Sequence, residues 1–95
     1  MIGKYVIVRT YSAGVHFGIA KKIKGTNVTL KKSRRLWEWR GAFTCSGLAK
    51  TGPTKPEQCK FSCENKKILL TQAIEVIPCT EKAIEVIIGV KEHGI

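Results

Sequence analysis

The chain has 95 residues and a formal charge of +10, with 43% apolar residues. That length is one domain with one modest core, and the ordinary apolar content argues against disorder. It leaves little room for a second lobe or a deep enzymatic cleft.

The charge is unevenly placed. Residues 1–40 carry ten Lys and Arg against one acid, Glu38, whereas residues 41–95 carry seven against six. A localised basic half is the electrostatic footprint expected for a phosphate-bearing partner. No apolar run approaches the ~20 residues a membrane span needs, and Met1 leads straight into a strand-like segment, so a soluble, intracellular chain is expected.

Residues Lys4–Tyr11 are β-branched and aromatic and read as a strand. Ser12-Ala-Gly14 signals a turn, and Val15–Ile23 a second strand. Gly18 inside that strand suggests a bulge or a close backbone approach. Lys24-Gly-Thr-Asn27 is a tight turn, and Val28–Lys32 a third strand. Arg34-Arg-Leu-Trp-Glu-Trp-Arg40, after Ser33, reads as a fourth.

Between Gly41 and Gly52 a short helix is expected, capped by Thr44 or Ser46 and ended by Gly52. Pro53-Thr-Lys-Pro56 is a loop. Lys67–Ile77 reads as one long strand or two shorter ones, ending at or near Pro78. Thr80–Ile88 reads as a helix with Thr80 as N-cap, Glu81 in the first turn and Gly89 as stop. Its residues Ile84, Ile87 and Ile88 fall on one face at helical spacing.

These elements predict a single α+β domain over residues 1–95. Residues 1–40 form a basic β meander, and residues 41–95 a helix, loop, strand and C-terminal helix. The expected architecture is a mostly antiparallel small barrel of SH3-like or Sm-like type, with one or two short helices.

On a strand, alternate side chains share a face. Arg35, Trp37 and Trp39 therefore fall together, opposite Arg34, Leu36, Glu38 and Arg40. Indoles stack on bases and guanidinium groups fork onto phosphate. One tryptophan is expected in the core and the other, Trp39 beside Gly41, against a ligand. Tyr11-Ser-Ala-Gly-Val-His-Phe-Gly18 adds Tyr11, Ser12 and His16 as hydrogen-bonding groups, with Arg9 and Arg34 as further cations. The expected ligand is an anionic, nucleotide-type molecule or a nucleic acid.

Catalytic signatures are missing. The chain has no aspartate, and His16 and His93 are far apart in sequence. There is no P-loop, Gly-x-Ser-x-Gly or His-Glu-x-x-His motif, so an enzyme is not expected. Cys45, Cys59, Cys63 and Cys79 read as free thiols. Only Cys59 and Cys63 have near-ligand spacing, so neither a structural zinc nor any cofactor is expected. Cys79 reads as a small buried hydrophobe. Small size and the Ile-rich C-terminal half favour a homo-oligomer.

The motifs Tyr5-Val-Ile-Val-Arg-Thr-Tyr-Ser-Ala-Gly-Val-His-Phe-Gly18, Arg34-Arg-Leu-Trp-Glu-Trp-Arg-Gly-Ala42 and Ala73-Ile-Glu-Val-Ile-Pro-Cys79 resemble a domain-of-unknown-function family of short tailed-phage proteins. The resemblance implies a viral protein working in the host cytoplasm and supplies no activity. For small, basic phage proteins it suggests an anti-defence role. On that expectation the protein sequesters a cyclic-nucleotide or ADP-ribose-type immune signal without cleaving it. The alternatives are a small basic nucleic-acid-binding domain and a protein–protein inhibitor of a host defence factor.

Overall fold

A computed structural model describes residues 1–42 and 44–93. Six strands and two helices follow one another: β1 (Tyr5–Thr10), β2 (Val15–Lys24), β3 (Asn27–Glu38), α1 (Cys45–Thr51), β4 (Lys60–Phe61), β5 (Asn65–Leu70), β6 (Ala73–Pro78) and α2 (Glu81–Ile88). The domain is α+β, with one antiparallel sheet in the order β4–β3–β2–β1–β6. β5 also lies on β3, along its first half, while β4 pairs at its far end. No helix among the described residues is long and apolar enough to cross a membrane.

The expected barrel is not closed. β5 and β6 are consecutive, joined by Thr71 and Gln72, yet no ladder pairs them among the described residues. Single contacts tie this turn to the tip of the β2–β3 hairpin. The Ala73 amide donates to the Thr26 carbonyl at 3.0 Å, and Thr26 Oγ1 donates to the Thr71 carbonyl at 3.2 Å.

The sheet buries both faces. On β1, Val6 and Val8 join Ala20, Val28, Leu30 and Leu70 in an inner cluster. Ile7, between them, joins Phe17, Leu36, Leu48, Phe61 and Ile87 in an outer cluster that α1 and α2 cover. The twofold alternation of a strand produces this split directly. Each fully buried aliphatic or Phe side chain contributes about 1.5–3 kcal/mol.

β3 serves both clusters because its register slips. Phe17 lies opposite Arg34 and Ile19 opposite Lys31, so Lys32 and Ser33 together oppose Gly18. Lys32 takes φ +50° there. The extra residue shifts the alternation, and Leu30 and Leu36 end on opposite faces. Gly18 permits the contact, since a Cβ there would sit 3.0 Å from the Lys31 carbonyl oxygen and 3.1 Å from Ser33 Cα. The anticipated break at Ser33 is therefore a bend within one strand, and the anticipated third and fourth strands are a single element.

Both helices start where their caps predict. Thr44 accepts from the Gly47 amide, and Gly52, at φ +71°, closes α1. Thr80 accepts from the Ala83 amide, and Gly89 closes α2. The packed stripe of α2 is Ala83, Ile84 and Ile87, while Ile88 is exposed. Ile88 is the last helical residue, turned about 100° from Ile87. The expected single segment Lys67–Ile77 is divided into β5 and β6. Pro56 opens a 3-10 turn, Pro56–Gln58, at the end of the expected loop.

Candidate functional site

Strand register builds the site. Val8 pairs with His16, and His16 with Arg35, so all three share the inner face. Trp37 follows two residues after Arg35 on the same side. Here the apolar inner cluster gives way to polar groups around a cleft of about 650 Å³. His16, Arg35, Trp37, Asn65 and Ile68 line it from the sheet, Ser62 and Cys63 from the segment joining β4 to β5, and His93 from the C-terminal tail.

Trp37 is 52% exposed, unusual for a large ring on a strand. The Lys60 ammonium lies 5.7 Å from its ring centroid, within cation–π reach. The His93 ring lies 5.4 Å away, tilted by 55°. The tail reaches this position because the His93 amide donates to the Phe61 carbonyl at 2.9 Å, beside a parallel bridge from Glu92 to Phe61.

The floor is held by hydrogen bonds. Ser62 Oγ accepts from the Arg35 amide at 2.8 Å and donates to the Cys63 carbonyl at 2.9 Å. His16 is buried, and its Nε2 lies 2.9 Å from the Ala13 carbonyl oxygen. A carbonyl only accepts, so Nε2 carries the proton and the neutral ring leaves Nδ1 as an acceptor. Burial pushes the His16 pKa below its ordinary value and the Arg35 charge adds to this, against the opposing bond to Ala13.

The remaining expected site residues go elsewhere. Arg34 is 5% exposed and leaves the cleft for the interior. Its Nε donates to the Ser62 carbonyl and its Nη1 to the Ile87 carbonyl, each at 2.8 Å, and its guanidinium lies 5.5 Å from the Phe61 ring centroid. Trp39 follows the end of β3, so strand alternation no longer places it beside Trp37. It is half-buried against the outer cluster, and its indole N–H donates to the Ala42 carbonyl at 3.1 Å. The burial expected of the two tryptophans is thus reversed: Trp37 is the exposed ring and Trp39 the packed one.

Trp39 borders a separate hollow with Arg9 and Glu75. Arg9 Nε contacts Glu75 Oε1 at 2.7 Å, an exposed pair of small energetic weight. Tyr11 is 80% exposed at the turn, and Ser12 Oγ donates to Gln72 Oε1 at 2.8 Å; neither borders the cleft. Ser62, Asn65, Lys60 and His93 escaped the sequence reading. Tertiary contacts alone bring them to Arg35 and Trp37.

All four cysteines are free thiols, and burial pushes Cys79 up to about 12. Among the described residues no three His, Cys, Asp or Glu side chains cluster as a metal site.

A small basic α+β domain with an exposed indole and a guanidinium at one polar cleft is thus defined. Residues 3–87 match the family described as Domain of unknown function (DUF6948), and the chain belongs to that family. No curated protein and no solved structure matches it.

Proposed function

We propose that this protein binds an anionic, nucleotide-type ligand in the Arg35–Trp37 cleft and holds it without chemical change. The observation that carries the reading is Trp37, left half exposed on a strand beside the exposed Arg35, which makes no ion pair among the described residues. A base stacking on such a ring contributes roughly 1–3 kcal/mol. Arg35, unlike Arg34, is exposed, so its guanidinium can fork onto phosphate. Asn65, Ser62 and the His16 acceptor supply polar groups for a base edge or ribose. The cleft's size falls within the ~300–1,000 Å³ common for small-molecule sites.

In this reading the protein is a sponge for a cyclic-nucleotide or ADP-ribose-type signal in the cytoplasm of a phage-infected host. That setting comes from the resemblance to short phage proteins, and the cleft supports only the binding chemistry.

The test is mass spectrometry of small molecules released from purified protein, followed by calorimetric titration of what is found. Wild-type protein carries a nucleotide-type anion that Arg35→Ala and Trp37→Ala lose. Each substitution weakens binding by about 10- to 100-fold, the equivalent of about 1.5–3 kcal/mol. Trp39→Ala instead lowers the melting temperature. Equal binding by wild type and both cleft variants overturns the proposal.

A further inference from the structure

A second basic surface lies away from the cleft. In an antiparallel pair, residues directly opposite share a face. Lys24 pairs with Asn27, Lys22 with Thr29, Lys31 with Lys67, and Thr29 with Leu69. The face of β2, β3 and β5 turned away from the inner cluster therefore carries Lys22, Lys24, Lys31 and Lys67 around an exposed Leu69. All four lysines are exposed.

The stretches of these strands that form the face carry no acid, and Glu38 lies at the far end of β3. Residues 18–37 and 65–72 contain no Asp or Glu. The ion pairs among the described residues use Arg9, Arg40 and Lys60, and none of the four lysines. Lys31 and Lys67 also sit directly opposite one another, an arrangement that destabilises a sheet. A face that holds like charges in register against its own stability is built for a polyanion. The patch has no aromatic ring on which an unpaired base could stack.

We infer that this lysine face docks on the phosphate backbone of duplex nucleic acid, without reading sequence. The site is independent of the cleft and does not rest on its ligand. Lysine suits it as a point-charge phosphate contact. Each neutralised phosphate contributes about −0.9 to the slope of log K against log salt, so four lysines give a slope of about −3.6. Affinity then falls on the order of 10²-fold between 50 and 200 mM salt.

The experiment is fluorescence anisotropy of a labelled 20-base-pair duplex across that salt range, with the fold of every variant checked by circular dichroism. The Lys31→Gln/Lys67→Gln double variant flattens the slope by about 2. Lys50→Gln/Lys82→Gln, on the helices, leaves it unchanged, as does Trp37→Ala. Two duplexes of unrelated sequence bind alike. The inference is overturned if wild-type protein does not bind duplex at 50 mM salt. An unchanged slope in the Lys31/Lys67 variant overturns it too, as does binding confined to phosphatidylserine vesicles or to an acidic peptide.

Discussion

Adjacent arginines with opposite burial offer a direct test of how this fold uses charge. Arg34 donates to the carbonyls of Ser62 and Ile87, so it links β3 to the end of β4 and to the last turn of α2. Replacement by Met keeps much of the volume but removes both donors. A hydrogen bond from a charged group contributes about 1.5–3 kcal/mol, and the Ser62 carbonyl left without its donor costs about 1–3 kcal/mol, while the Ile87 carbonyl keeps the Val90 amide at 3.2 Å. Against this, the variant no longer buries a charge whose Nη2 lacks a partner among the described residues. The net loss expected for Arg34→Met is about 3 kcal/mol. A chain of this length has about 5–14 kcal/mol in total. At about 4–8 °C per kcal/mol, the melting temperature falls by roughly 12–24 °C. Arg34→Lys loses about half as much, because one ammonium cannot span both carbonyls. Arg35→Met, one residue along and exposed, stays within about 0.5 kcal/mol of wild type. Urea denaturation followed by far-ultraviolet circular dichroism measures all three. Equal stabilities for Arg34→Met and Arg35→Met refute the clamp.

Stability should also depend on His16. Its native pKa is depressed, so the unfolded chain takes up a proton first as pH falls below about 6.5. The contribution is full above that pH, declines as pH drops towards the native pKa, and levels off below it. The urea midpoint therefore falls between pH 7.5 and 5.5, and His16→Gln flattens the decline; a midpoint that rises in acid contradicts the assignment. Gly18→Ala forces a Cβ against the backbone of Lys31 and Ser33 and costs about 1–3 kcal/mol. Gly47→Ala within α1 meets nothing closer than 3.5 Å and gains about 0.5–1 kcal/mol, so thermal melts of the pair separate crowding from chain entropy.

Local signals carried much of the fold into the sequence. Thr44 and Thr80 announce their helices through cap chemistry, and Gly18 announces the bulge because only a missing side chain fits there. The error at Ser33 has the same origin as that success. The two residues opposite Gly18 bend β3 without ending it, and a bend and a turn look alike in sequence. Two-residue β4 has too few positions to show any period. Strand alternation held for Arg34, Arg35, Leu36 and Trp37 but was extended one residue pair too far, to Trp39, beyond the end of β3 at Glu38. The burial of Arg34 was illegible because its acceptors lie far along the chain, at Ser62 and Ile87. His93 enters the cleft through a tail-to-β4 backbone bond that no side-chain pattern encodes.

The sharing of β1 between two hydrophobic clusters has a kinetic consequence. Val6, Ile7 and Val8 are made before the rest of the sheet, yet β1 gains its second neighbour only when β6 has been made, with Val6 opposite Pro78. Until then the strand most dependent on burial has one open edge and waits for closure over nearly the whole chain. Long-range pairing of this kind slows folding and exposes unpaired edges to other chains. Nascent chains halted before Ala73 should therefore be the aggregation-prone species, and rapid addition of β6 is what ends their exposure.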